Sequence, residues 1–153
     1  MQDRIAQAIL LQLRISITER ERLLTLHNGT DSPEAFELLM RAIGTPWGNE
    51  LEAFDPATST ILALIDQALE IDPGYAQAWA ERAGVFTSSL FAENDTARSM
   101  EYIDEARRAA EQAIEADPEY AGGYLRLGWS YFRAKDNAAA ERAYAKALEL
   151  APA

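Results

Sequence analysis

Apolar side chains return along this chain at steps of three and four, with polar residues between them. That is the period of helices with one buried face, not the alternation of half-buried strands. Residues 3–15 show it first, in Ile5, Ile9, Leu10 and Leu13, with Arg4, Gln7, Gln12 and Arg14 between. Thr18-Glu19-Arg20-Glu21 then reads as a capping box, in which the Thr18 hydroxyl accepts the Glu21 backbone N–H and the Glu21 carboxylate reaches back. It opens a short helix carrying Leu23, Leu24 and Leu26. Asn28-Gly29 stops that helix, because both residues tolerate left-handed end geometry.

Asp31-Ser32-Pro33-Glu34 opens a third helix, with Asp31 or Ser32 as its N-cap and proline in the first turn. Phe36, Leu39, Met40 and Ile43 form its expected apolar stripe. Gly44-Thr45-Pro46-Trp47-Gly48-Asn49 breaks it, and a loop is expected to about Thr58, with Asp55-Pro56 as a further turn signal. Thr58 or Ser59 is the expected cap of the next helix, which runs to Ile71 through Ile61, Leu64, Ile65, Ala68 and Leu69.

Three helix ends then share one pattern. They are Ala68-Leu69-Glu70-Ile71-Asp72-Pro73, Ala113-Ile114-Glu115-Ala116-Asp117-Pro118 and Ala147-Leu148-Glu149-Leu150-Ala151-Pro152. Proline cannot continue a helix, so each marks a stop. The prolines are 45 and 34 residues apart, a period that points to a solenoid of helical hairpins. Tyr124, Leu127, Gly128, Tyr131, Ala140, Tyr144 and Pro152 then spell out an aromatic, Leu-Gly, an aromatic, and a second helix with small residues facing back. Trp79, Ala83, Phe86, Ala106, Ala110, Ala113 and Pro118 repeat the pattern, with Arg82 where Leu is usual and 11 extra residues between the helices. Phe36, Leu39, Met40, Ile43, Ile61, Ile65, Ala68 and Pro73 give a weaker copy with a long loop around Trp47.

These residues resemble the tetratricopeptide repeat family. The resemblance implies an all-α, helical-hairpin repeat solenoid of about three hairpins, two with long inserts, preceded by two N-terminal helices. The division expected is one α-helical domain over 1–153, with a lead-in segment at 1–30, a degenerate hairpin at 33–75, a hairpin with an insert at 76–120, and a last hairpin at 121–153. The extra residues of the middle hairpin fit longer helices with a turn near Ala92-Glu93-Asn94-Asp95-Thr96. Gly128 with Ala140, and Ala83 with Ala106, would let paired helices approach closely, while Trp79, Tyr124 and Tyr131 bridge to neighbouring hairpins.

In the family, the first helix of each hairpin lines a concave groove that holds a peptide or protein segment. Carried over by position, that lining is Gln77, Ala80, Gly84, Thr87 and Ser88, then Leu125, Trp129, Phe132 and Arg133. Two large apolar groups and a cation, off the core stripe, make a candidate anchor for a peptide. The alternatives are self-association through the same face, and cover from within the chain. Chaperone-binding members clamp a C-terminal carboxylate, but the matching positions here hold Glu37, Arg41, Glu81, Gly122 and Arg126, mostly the wrong groups, so that activity is not implied. The last helix, ending at Ala151-Pro152-Ala153, has no following hairpin in this sequence, so a homodimer through that surface is a second expectation.

A narrower resemblance lies at the start. Arg4-Ile5-Ala6-Gln7-Ala8-Ile9, Thr18-Glu19-Arg20-Glu21-Arg22-Leu23 and Thr30-Asp31-Ser32-Pro33-Glu34-Ala35-Phe36 resemble the lead-in to the repeat region of bacterial adenylate-cyclase-like and TolB-like signalling proteins. It implies a regulatory piece or excised domain without its own catalytic part.

Composition narrows the partners. The 153 residues are long enough to bury a core, and 48% are hydrophobic. The net charge of −11 repels phosphate backbones, so no nucleic-acid partner is expected. There is no Cys, hence no disulfide frame or thiolate metal site. The longest apolar run near the start, Ile9-Leu10-Leu11, is far too short to enter a bilayer, and Met1-Gln2-Asp3-Arg4 has no basic leader. A cytoplasmic, non-enzymatic domain is expected, with no catalytic residues, no cofactor, no metal and no membrane insertion. His27, the one imidazole, has no Ser or Cys partner pattern. Gly44-Thr45-Pro46-Trp47-Gly48 lacks the spacing and lysine of a phosphate loop. Glu93-Asn94-Asp95 reads as a solvated loop and helix cap, and Glu101, Asp104, Glu105, Arg107, Arg108 and Glu111 as an exposed helix face with pairs one turn apart.

Overall fold

The computed structural model describes residues 29–46, 55–90 and 95–151; the expected helices before Gly29, His27 and the Trp47 loop lie outside them. The described residues form six helices: α1 Pro33–Gly44, α2 Pro56–Ile71, α3 Ala76–Ser89, α4 Thr96–Ala116, α5 Ala121–Arg133 and α6 Asn137–Leu150. They pair as α1/α2, α3/α4 and α5/α6; α2 packs on α3, α4 on α5, and α3 also touches α5. That is the expected stack of three hairpins, and no described helix is long and apolar enough to cross a membrane.

Local chemistry sets the helix starts. Ser32 caps α1 by accepting the Ala35 N–H at 3.2 Å, with Pro33 in the first turn. Gly29, just before, has φ +71°, the left-handed geometry expected there. The start of α2 corrects the sequence reading. Asp55, not Thr58 or Ser59, is the cap, accepting the Thr58 N–H at 2.8 Å, and Pro56 opens the helix instead of marking a separate turn. Asp95 caps α4 and Asp136 caps α6. The Arg98 and Ala97 N–H groups bonded to Asp95 hold its carboxyl below the usual range.

The repeat is also visible in hydrogen bonds. Before α3, the Asp72 carboxylate accepts the Gly74 N–H and its carbonyl accepts the Tyr75 N–H, at 3.0 and 3.1 Å. Before α5, Asp117 does the same with Glu119 and Tyr120, at 2.9 and 3.1 Å. The shared Asp-Pro-x-Tyr sequence thus builds one turn twice. Between α5 and α6 the turn differs: Lys135 takes φ +64°, and the Asp136 N–H donates back to the Tyr131 carbonyl at 2.9 Å.

The core changes character along the stack. In the first hairpin it is large and aliphatic: Leu38 and Leu39 of α1 meet Ile61, Leu64, Ile65 and Leu69 of α2. All five apolar positions expected in α2 are buried. The α1 stripe is rotated from expectation. Ala35, Leu38, Leu39 and Ala42 are buried, Phe36 and Met40 only half, and Ile43 is 50% exposed. The largest side chains suggested one face; close approach to α2 selects the face with two alanines.

From α3 onward the core is mostly alanine, with Ala83, Ala109 and Ala110 packed against Trp79 and Leu127. Trp79 touches both clusters, and its indole N–H donates to the Pro73 carbonyl at 2.9 Å. The extra length of the middle hairpin goes mainly into α4, which is 21 residues long against 14 in α3. Arg82, standing where leucine is usual, contacts Asp66 of α2 at 3.0 Å and Glu105 of α4 at 3.4 Å, with its guanidinium 5.1 Å from the Phe86 ring centre. It ties three helices together from the rim.

Candidate partner-binding face

α5 combines buried small residues with an exposed apolar stripe. Gly123, Gly128 and Ser130 are buried, Gly123 toward α4 and Gly128 toward α6. Small residues are required there. A β-carbon at Gly123 would stand 2.9 Å from Ile114 of α4, and one at Gly128 2.5 Å from the Tyr144 ring of α6. Because these backbones lie so close, α5 is held on both sides, and its outer residues sit on a rigid support.

The outer side carries Leu125, Trp129 and Phe132, exposed by 44%, 38% and 53%. The spacing of four and three residues places them on one stripe. Trp129 and Phe132 already meet edge to face, ring centres 6.1 Å apart and planes at 90°. Arg133, half-buried in the last turn, lies where a cation suits the negative end of the helix. All four were expected to line a groove, and they do lie together at the surface of α5.

The expected lining from α3 is mostly not surface. Ala80, Gly84 and Thr87 are buried and offer a partner no area. A β-carbon at Gly84 would fall 2.8 Å from the Arg126 guanidinium carbon, so Gly84 is the seat of an arginine from the next hairpin. The Thr87 hydroxyl donates to the Ala83 carbonyl at 2.7 Å, inside its own helix. Gln77 remains half-buried and Ser88 exposed. α3 supplied small residues at groove positions because α5 needs to rest on them, a role that position within a repeat does not separate from ligand contact.

Three of the five clamp positions, Glu81, Gly122 and Arg126, are likewise committed to packing, while Glu37 and Arg41 are exposed. Arg126 pairs with Glu81 at 3.3 Å across α3 and α5, and the Tyr120 ring covers Gly122. Burial pushes the Tyr120 phenol above its ordinary value; the Glu81 carboxylate adds to this and Arg126 opposes it. A second concavity, about 670 Å³, lies between α2, α3 and α4 and includes Asp66, Trp79, Arg82 and Glu105. Its central cation is engaged by the two carboxylates beside it, so it is a seam between hairpins. Among the described residues no group of His, Cys, Asp and Glu is placed to hold a metal ion.

Comparison with known proteins agrees with this architecture. Two models described as Tetratricopeptide repeat match the chain, at residues 95–120 and 121–153. No curated protein matches it. Among solved structures, it is similar to the crystal structure of the Sgt2 TPR domain from Aspergillus fumigatus, with 25% identity, a TM-score of 0.60, and coverage of 78% of this chain and 67% of that one. The region from α4 to α6 therefore carries tetratricopeptide repeats, and the chain folds as a helical-hairpin solenoid. Neither repeat match reaches the lead-in segment, and the expected resemblance of that segment to cyclase-like and TolB-like proteins is not shown by them.

Proposed function

We propose that this chain is a non-enzymatic protein–protein interaction module that seats a peptide or protein segment on the outer face of α5. One observation carries the reading: Leu125, Trp129 and Phe132 form an exposed apolar stripe on a helix held between two neighbours by contacts too close for added side chains, Gly123 on Ile114 and Gly128 on Tyr144. Large apolar groups on a rigid backbone lose little freedom on binding, which is what a binding anchor requires. The repeat matches and the solved TPR domain support an interaction role in general. The reach of the site on α3 is limited to Gln77 and Ser88.

A displayed peptide library selected against the chain tests this, with affinities of the recovered peptides read by fluorescence polarisation. Trp129→Ala and Phe132→Ala should each weaken binding about tenfold or more, the scale of a binding hot spot. Arg133→Glu should discriminate against acidic peptides. If recovered peptides bind Trp129→Ala as tightly as the parent, with helicity unchanged, the face on α5 is not the site.

A further inference from the structure

Among the described helices α5 alone carries a net positive charge. Its 13 residues hold Arg126 and Arg133 and no Asp or Glu, in a chain with a net charge of −11. Each arginine directly follows a residue of the apolar stripe, Leu125 or Phe132, and the two lie two turns apart, so both border the same edge of it. That edge faces α3, where Arg126 seats on Gly84 and pairs with Glu81 at 3.3 Å. The other edge is Gly128, closed by the Tyr144 ring of α6.

The stripe offers an extended segment almost no hydrogen bonds. Leu125 and Phe132 have none to give, Trp129 has a single N–H, and the two arginines only donate. The N–H groups of an extended backbone need acceptors. On the α3 side Glu81 is engaged by Arg126, and Thr87 is buried and bonded within its own helix. Gln77 and Ser88 stand about three turns apart. A helix pairs its backbone internally and needs none of these groups. Leu125, Trp129 and Phe132 span about 10 Å along α5, at the steps of four and three residues by which packed helices interlock.

We infer that, with the α5 face as the proposed binding site, its occupant is an amphipathic helix of a protein partner, apolar on its contact side and acidic along the one edge that meets Arg126 and Arg133. Guanidinium groups suit that edge, because they take carboxylates in paired hydrogen bonds. Acids elsewhere on the partner would meet the acidic surface of this chain. The face therefore selects the pattern of charge on the partner, not its total.

Two synthetic peptides, each about four turns long, test this. Both carry leucines at alternating helical steps, with alanine and glutamine elsewhere; glutamates line one edge in the first and the opposite edge in the second. One of them should bind the 153-residue chain with a Kd below about 100 µM and gain far-UV helicity as it does. A central proline should weaken that peptide about tenfold or more, as should lysine in place of its glutamates. Arg133→Glu should weaken it too and favour the lysine peptide, which attraction to cations elsewhere on the chain would not do. Equal binding of the proline peptide overturns the helical occupant, and equal binding of the lysine peptide overturns its acidic edge; the α5 site stands in both cases if Trp129→Ala still weakens capture. Failure of both peptides to bind at about 1 mM also overturns the inference, while displayed peptides that depend on Trp129 would keep the site. Binding indifferent to Trp129→Ala, with helicity of the chain unchanged, removes the site itself.

Discussion

The Tyr144 ring of α6 lies against Gly128 of α5, so close that a β-carbon on Gly128 would stand 2.5 Å from its Cε1 atom. The last hairpin is therefore closed by an aromatic ring on bare backbone. Burial raises the Tyr144 phenol above its ordinary value, in keeping with that placement. Gly128→Ala is expected to destabilise the protein by about 1–3 kcal/mol, the cost of overpacking, despite alanine's better helix propensity. Adding Tyr144→Leu should recover part of the loss. Gly44→Ala, where an added β-carbon meets nothing within 4 Å, serves as the control and should stay within about 0.5 kcal/mol. Urea denaturation of the three variants beside the parent checks this.

Tyr75 gives a pH dependence. It is fully buried at the turn before α3, and among the described residues its hydroxyl has no hydrogen-bond partner. Burial, then Tyr120 and Asp72, pushes its phenol up to about 12 from 10.0. Above pH 10 the unfolded chain releases this proton while the folded one keeps it, so the unfolded state gains. The Tyr75 contribution is complete below pH 10 and falls as pH rises toward 12, by about 1.4 kcal/mol per pH unit. Tyr75→Phe should flatten that slope in denaturation series from pH 9 upward. At pH 7 it should cost nothing and gain up to about 1 kcal/mol, because it removes an unpaired buried polar atom.

Lys135 occupies the left-handed region, at φ +64°, where an L side chain is strained. Two backbone bonds hold it there: its own N–H to the Phe132 carbonyl at 3.0 Å, and that of Asp136 to Tyr131 at 2.9 Å. Lys135→Gly should raise stability by about 0.5–1 kcal/mol, the relief of strain exceeding glycine's extra freedom in the unfolded chain. A thermal melt of the two proteins decides it; a lower midpoint for the glycine variant would contradict this account of the turn.

Arg82 stands at the junction of α2, α3 and α4. Its partners Asp66 and Glu105 are partly exposed, so each ion pair contributes little, but the stem and the Phe86 contact add to them. Arg82→Ala should cost about 1–2 kcal/mol. Arg82→Leu should cost less, because the stem packing is kept. The charged part of the effect should shrink as salt is raised, a comparison that equilibrium unfolding at two ionic strengths provides.

The sequence carried its plainest information where one residue type performs one local act. Asp-Pro-x-Tyr wrote the turns before α3 and α5, and Asp95 could be placed at a helix start from the residues around it. The period of apolar residues announced α1 and α2, the repeated pattern of aromatic and small residues announced the later hairpins, and the three aligned helix ends announced the stack. The stripe of Leu125, Trp129 and Phe132 was likewise legible, as large apolar residues at helical spacing outside the common hairpin frame.

Tertiary packing decided what a small residue is for. Ala80 and Gly84 look like groove lining by position, yet they are buried, with Arg126 seated on Gly84. Ala35 and Ala42 look neutral, yet they define the buried face of α1 in place of Phe36 and Ile43. Asp55 read as a loop residue until the folded chain placed its carboxylate on the Thr58 N–H. The reason is common to the first two. Periodicity records which side chains avoid water, but glycine and alanine record how near another backbone comes. That distance exists only once the hairpins are stacked.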